Sequence, residues 1–331
     1  MKSKKNQPAG INRRQFLHLS ALATASLVLP FGLTACSKSE PGIRIASNVW
    51  PGYEFLYLAR AKQYFSEEEV RMIEMPSASV CIEALAASTV EGACLTLDEV
   101  LTARAEGLDL TVVTILDISL GADVLLANPK IKTLQALKGH RVGVEQSAVG
   151  AVMLHAALEK AGLHSSDITI RHLNVNRHRD AYLNNEVDAL VTFEPVVSQL
   201  APGKPVTLFT SADIPGRIVD VIAVRPDVIK SSPTAVRKLV AGHFMALRDF
   251  MTAPQQVTPL MTQRLKIPAQ EIPRAYHGIE LPDAAANRKL LLNNLPDMEK
   301  NATELAGVML KAKLLRKEIS LAGLFNGQYL P

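Results

Sequence analysis

The sequence predicts an α/β protein of two lobes, each a mainly parallel sheet flanked by helices. Three observations lead there. Short apolar runs alternate with segments of helical periodicity over most of the chain. At 331 residues and 48% hydrophobic, the chain is long enough to build two cores. The segment Thr96-Leu97-Asp98-Glu99-Val100 is echoed 96 residues later by Thr192-Phe193-Glu194-Pro195-Val196, each closing a short apolar strand.

The first set of elements begins with the strand GIRIAS (42–47) and a helix over 54–65. VRMIEM (70–75) is a strand and 80–88 a helix; GACLTL (92–97) is a strand, 98–106 a helix and LTVVTIL (110–116) a strand. The second set starts at RVGVE (141–145), followed by a helix over 150–161 and the strand ITIRHL (168–173). A helix over 179–185 leads to the strand ALVTF (189–193), and SADIPGR then feeds the strand VDVIAVR (219–225). From 231 onward the pattern turns helical. Ser232 suits an N-cap with Pro233 at the first helical position, and Val236, Leu239, Val240, Leu247, Phe250 and Met251 follow at helical spacing. This tail is expected to pack back on the first lobe.

Residues 1–35 read as an export signal. Lys2, Lys4, Lys5, Arg13 and Arg14 precede an apolar run over 16–33, too marginal for a permanent span. Leu33-Thr34-Ala35-Cys36 resembles a lipobox, with Cys36 as the lipid-bearing residue. Asn12-Arg13-Arg14-Gln15-Phe16-Leu17 resembles a twin-arginine signal, although Asn12 and His18 depart from it; ordinary secretion is the alternative. Residues 36–41 would then be a tether, and the acylated cysteine would hold the protein on the periplasmic side, or outer face, of a bacterial membrane.

The formal charge of +4 belongs to this leader. Removing it leaves 31 basic residues against 32 acidic ones, so the chain carries no nucleic-acid footprint. Cys81 and Cys94 remain, to be bonded in an oxidising compartment or buried as free thiols. No cofactor or metal site is expected, because no histidines stand at ligand spacing from these cysteines.

In open parallel sheets, ligands collect beyond the carboxyl ends of strands. Facing lobes would place Asp98 and Glu194 on opposite lips of one cleft. Trp50-Pro51-Gly52-Tyr53-Glu54, between the first strand and its helix, is a third such corner.

The segments NVWPGYEFLYLARAKQYF, SASVCIEALAASTVEGACLTLDEVLTARAEGLDL, LQALKGHRVGVEQSAVGAVMLHAALEKAGL and VDALVTFEP carry a family resemblance. Their order and spacing resemble the nitrate/sulfonate/taurine-type periplasmic solute-binding proteins, which include binders of thiamine-pyrimidine precursors. The resemblance runs from about residue 42 to 251. It implies a type II binding-protein fold that closes on a small molecule and presents it, as a monomer, to the permease and ATPase of an ABC importer. Lobe one would be 42–126 plus 217–331 and lobe two 127–216, with hinges near Ala127-Asn128-Pro129 and 213–216.

The resemblance places Trp50 and Tyr53 in the pocket, where aromatic rings stack on a planar ligand or hold a cation; corner packing is the plainer alternative. Ser77, Ala78 and Ser79 open a helix, and Ser147 lies in the matching segment EQSAVG; free N–H groups and hydroxyls there suit an anion or an ordinary cap. Asp98, Glu145, Glu194 and Glu54 give the cleft an acidic character, unless they cap helices or pair with arginines. Several acids would repel a small anion, and neither Arg104 nor Arg217 is clearly placed to offset them. The expectation is an organic ligand with amino or ring-nitrogen groups. Asp220 is expected at a strand-edge hinge, and Arg171, His172, Arg177, His178 and Arg179 on a solvated face. Two other functions share this sequence pattern: a cofactor-biosynthetic enzyme on the same fold, and a sensory lipoprotein.

Overall fold

The computed structural model describes residues 40–145 and 148–331. The expected export signal and lipobox, with Cys36, and the candidate Ser147 lie outside the described residues. In chain order the strands are β1 (Ile43–Ser47), β2 (Val70–Glu74), β3 (Gly92–Thr96), β4 (Thr111–Ser119), β5 (Val124–Ala127) and β6 (Arg141–Val144). They continue with β7 (Thr169–His172), β8 (Ala189–Thr192), β9 (Val206–Thr210), β10 (Val219–Val224) and β11 (Ile279–Glu280). The helices that flank them are α1 (Glu54–Ala61), α2 (Ala78–Ala86), α3 (Leu97–Ala105), α4 (Ala148–Ala161), α5 (Val175–Leu183) and α6 (Val196–Leu200). The carboxyl-terminal helices are α7 (Pro226–Ser231), α8 (Pro233–Thr252), α9 (Pro254–Leu265), α10 (Ile272–Ala275), α11 (Ala284–Arg288) and α12 (Leu295–Lys311).

Two sheets result. The first has the order β11-β4-β10-β3-β1-β2 and the second β7-β6-β8-β5-β9. The β2-β1-β3 and β7-β6-β8 runs are parallel, as the alternation of strands and helices predicts. β10 runs antiparallel to β3 and β4, and β5 antiparallel to β8 and β9. The sequence pattern does not single out β5, β9 or the two-residue β11 as strands. Val124–Ala127 is a short apolar run with no helical pattern beside it, and only its pairing defines it.

The chain crosses between sheets after Ser119 and returns after Thr210. The first crossing, over 120–123, precedes the expected hinge at Ala127-Asn128-Pro129, because β5 is paired on both sides within the second sheet. The return covers 211–218. The two crossings are stitched together: Ser119 and Ser211 share a hydroxyl hydrogen bond of 2.7 Å, and Gly121 N–H donates to Ser211 Oγ at 2.6 Å.

The tail packs on the first sheet's side of the molecule. α8 buries Val236, Leu239, Val240, Leu247 and Phe250 in the cluster that contains Phe55 and Ile45, whereas Met251 is 66% exposed. Ser232 occupies the N-cap position, but its side chain makes no capping bond. Glu40 does this from a distance instead, its carboxylate accepting from Thr234 N at 2.8 Å and Thr234 Oγ1 at 2.9 Å. Cys81 and Cys94 are buried free thiols. No helix among the described residues is long and apolar enough to cross a membrane.

α9 is tied to the start of α1 through Arg264. Its guanidinium pairs with buried Glu54, donates to Glu74 at 2.6 Å and lies 3.4 Å from the Tyr57 ring centroid. Burial pushes the Glu54 carboxyl up to about 7 even though Arg264 opposes the rise. Removing one partner of a buried pair leaves the other charge uncompensated. Arg264→Ala is therefore expected to cost about 3–5 kcal/mol in urea unfolding, with Glu54→Gln in the same background recovering part of the loss. A loss below 1 kcal/mol, of the size typical of exposed pairs, would contradict this account.

Candidate functional site: an acidic, aromatic cavity between the sheets

The site grows from one strand edge. In the first sheet Asp220 of β10 lies opposite Thr96 of β3 on one side and opposite Asp117 of β4 on the other. Because β10 runs backwards, its beginning falls at the carboxyl edge of its parallel neighbours. Asp220 thus joins the strand ends while sitting at a strand start. Asp123 enters in the same way, immediately before antiparallel β5.

The Trp50–Glu54 corner covers this edge. Trp50 is extended (φ −152°, ψ 137°), and Pro51 opens a single turn, Pro51–Tyr53, that runs into α1. Trp50 Nε1 donates to Asp117 Oδ2 at 3.0 Å, and Tyr53 OH donates to Asp220 Oδ1 at 2.5 Å. Gly52 is what lets the corner come so close. A Cβ there would fall 1.7 Å from Asp117 Oδ2 and 2.7 Å from Trp50 Nε1.

From the second sheet, Phe193 meets the Trp50 ring edge to face, with centroids 5.3 Å apart and planes at 87°. Between the two sheets lies a small cavity lined by the aromatic rings of Trp50, Tyr53 and Phe193. Its carboxyl groups are Glu99, Asp123, Glu145 and Asp220, and among the described residues no lysine or arginine lines it. A smaller space continues from it past Asp123, Glu145 and Phe193 toward Met153, His178 and Val191.

Burial raises the acids. It pushes Asp117 up to about 7 and Asp123 to about 6, and together with the neighbouring Asp117 it holds Asp220 well above the ordinary carboxylate range. Asp117 Oδ1 is buried and meets no donor in hydrogen-bond geometry among the described residues. Carboxyls so placed retain protons at a pH where exposed ones have lost them.

Glu145, just past β6, reaches across to the start of α2. Its Oε1 accepts from Ser79 N and from Ser79 Oγ, both at 3.1 Å. Burial raises its carboxyl, and the Ser79 donors oppose that rise. Ser77 is the N-cap of α2, its Oγ accepting from Val80 N at 3.4 Å.

Among the sequence candidates, Trp50, Tyr53 and Glu145 line the cavity, while Ser77 and Ser79 stand behind Glu145. Glu54 does not line it, being held by Arg264. Asp98 is fully buried with its carboxyl pushed up to about 7 by burial, and the lining residue is its neighbour Glu99. Glu194 accepts from Ser198 N at 3.1 Å and Ser198 Oγ at 3.0 Å, leaving Phe193 as the residue that faces the space. In both echoed segments the helical turn begins at the strand end, so neighbouring residues point in different directions and an acid marks the segment without marking the contact. Asp220, read as a hinge residue, lines the cavity. Asp117, Asp123 and Asn48 carried no sequence signal beyond their polarity.

Arg104 donates to Ala322 O at 2.7 Å and pairs with Asp109 at 3.1 Å; neither it nor Arg217 lines the cavity. The basic run splits. Arg171, His172, Arg177 and Arg179 are exposed, but His178 is buried. Its ring bridges Thr192 Oγ1 and Leu173 O, both at 3.1 Å, and burial pulls its pKa down to about 4. The first turns of α5 begin before residue 179, and that earlier start rotates His178 inward. Among the described residues, no group of three or more His, Cys, Asp or Glu side chains is arranged to hold a metal ion.

The family model described as NMT1/THI5 like matches residues 50–257, which run from the tryptophan of the corner into α9. The chain belongs to that family. It is similar to the "Putative aliphatic sulfonates-binding protein" of Escherichia coli (strain K12), with 29% identity over 184 residues, 54% of this chain and 57% of the relative. The chain spans about half the length of the curated relatives it matches. Among solved structures, the alkanesulfonate-binding protein SsuA of Xanthomonas axonopodis pv. citri, bound to MOPS, superposes with a TM-score of 0.73 at 19% identity, covering 87% of this chain and 99% of that one. The periplasmic nitrate-binding protein NrtA of Synechocystis PCC 6803 gives a TM-score of 0.62 at 12% identity, covering 87% and 92%. These likenesses establish a periplasmic-binding-protein fold: a mixed α/β architecture with two sheets flanked by helices.

The acids of this NMT1/THI5-like protein have a measurable signature. A carboxyl whose folded pKa is raised stabilises the fold fully below its unfolded value and loses that contribution as pH climbs through the folded value. For Asp117 the window runs from about pH 4 to pH 7. Asp117→Asn removes the ionisation while keeping an acceptor for Trp50. Its melting temperature is expected to equal wild type near pH 4 and exceed it at pH 8. Parallel curves across that range would show that Asp117 is not a buried, proton-holding group.

Proposed function

We propose that this chain is a lipid-anchored solute-binding protein on the periplasmic side of a bacterial membrane. It captures a small organic molecule bearing a protonated amine or ring nitrogen and delivers it to an ABC importer. The observation that carries this reading is the cavity between the sheets, with three aromatic rings, four carboxyl groups and, among the described residues, no lysine or arginine in its lining. Membership of the NMT1/THI5-like family and the binding proteins among its relatives support the same class of function. The lipid anchor rests on the sequence around Cys36.

The physical basis is straightforward. Carboxyl groups in a partly desolvated space attract a cation more strongly than in water, and each can accept an N–H hydrogen bond. Trp50 and Phe193 come from different sheets and meet edge to face, so a ligand resting against both rings is contacted fully only when the two halves close. The crossings at 120–123 and 211–218 are where such a closure would turn. Contacts made by both halves only in the closed state supply the preference for it. The NMT1/THI5-like relatives named for sulfonates differ from this reading in ligand charge, and the lining acids favour the cation.

The test begins with gentle purification and mass spectrometry of whatever is released on denaturation; recovery of an unaltered small amine is expected, and recovery of a chemically converted one would favour catalysis. A thermal-shift panel should then show stabilisation by primary amines, quaternary ammonium ions or aminopyrimidines over alkanesulfonates and nitrate. At one hundred times Kd the gain is about 2.7 kcal/mol. Trp50 emission should change on binding, and Trp50→Ala, still folded, should lose at least about tenfold in affinity, or 1.4 kcal/mol. A panel in which only anions stabilise the protein would reverse the ligand assignment.

A further inference from the structure

The start of α2 offers the N–H groups that would attract an anionic ligand, yet they are already engaged. Ser79 N and Ser79 Oγ both donate to Glu145 Oε1, Val80 N donates to Ser77 Oγ, and Cys81 N to Ser77 O at 3.2 Å. The carboxylate that takes the Ser79 donors comes from the other sheet and is 4% exposed. It also lines both parts of the cavity. A free sulfonate, nitrate or phosphate seeking those donors would have to push Glu145 out. Among the described residues, the space beside it is the cavity lined by Asp123, Asp220 and Glu99.

We infer that Glu145 is the specificity-determining residue of the cleft: it acts as a built-in anion that fills the α2 terminus and thereby excludes anionic solutes. The inference rests on the solute-binding reading of the same site but not on which amine is bound. The energetic logic has two parts. Displacement breaks two charge-assisted hydrogen bonds, and it moves a negative charge toward three other acidic groups. A cation meets neither obstacle, because Glu145 can stay where it is, on its Ser79 donors, and lend its negative charge to the ligand. One side chain thus sets the sign of charge that the cleft accepts.

The experiment compares wild type with Glu145→Ser and Glu145→Gln, using ethanesulfonate and sulfate as probes in titration calorimetry, with circular dichroism to confirm folding. Wild type is expected to show no anion binding at millimolar concentration. Glu145→Ser, which vacates the donors, should bind ethanesulfonate at least about tenfold more tightly than wild type, and adding Ser79→Ala, which leaves only the N–H donor, should reduce the gain. Glu145→Gln keeps the side-chain volume and fold and should show a smaller gain in the same direction. The inference is overturned if wild type binds these anions as well as the variants do, if the folded variants gain nothing, or if the gain is undiminished by loss of the Ser79 hydroxyl. Should Glu145→Ser fail to fold, an unchanged affinity in Glu145→Gln overturns it alone. The amine panel on wild type reads the underlying function separately: a protein that binds amines while its variants gain no anion affinity retains the function and loses this inference. The opposite pattern does the reverse.

Discussion

Two strands that run against their neighbours decide what the cleft is made of. The chain can pass from one sheet to the other only by entering each new sheet from the cleft side, so β5 and β10 both begin there. Each brings an aspartate at or just before its first turn into the sheet, Asp123 and Asp220, into the company of the parallel strand ends. Ser119 and Ser211 lock the crossings to each other, which fixes how far those aspartates can move apart. The acidity of the site is thus a consequence of topology as much as of composition.

Burying that many carboxyls has to be compensated. Trp50 and Tyr53 do so by donating to Asp117 and Asp220, Ser79 by donating to Glu145, and Glu99 by accepting from Thr96 N at 2.9 Å in a capping box. What hydrogen bonds leave uncompensated is met by retained protons, as the upward shifts of Asp117, Asp123 and Asp220 express. The first sheet's core also buries a histidine without compensation. His243 is fully buried beside Phe55, both ring nitrogens lack a hydrogen-bond partner among the described residues, and burial pulls its pKa down to about 3. The structure shows no use for it at the cleft. Its charging would oppose folding in acid, while the aspartates oppose folding at higher pH, so the two groups tilt the stability curve in opposite directions.

The aromatic corner serves two purposes at once. The same indole that meets Phe193 edge to face anchors Asp117, and Gly52 is small enough to let the carboxylate lie against the backbone. A ligand that moves Trp50 would therefore also disturb the Asp117–Asp220 pair. Proton uptake or release on binding is a natural accompaniment of such an arrangement.

Residue pattern along the chain was enough for the α/β class, the parallel runs, the corner at Trp50 and Tyr53, and the presence of Glu145 at a strand end. These follow from local periodicity and from residues whose neighbours in the chain are also their neighbours in space. Tertiary structure alone decided that Glu99 and Phe193 face the cavity while Asp98 and Glu194 do not, and that Asp220 belongs to the site. It also decided that Glu54 belongs to Arg264, 210 residues away, and that Glu145 closes on Ser79. The reason is physical. A rule that looks for acids after strands sees only the strands' carboxyl ends, whereas an antiparallel strand delivers its amino end to the same edge. A partner hundreds of residues distant leaves no periodicity in the chain to betray it.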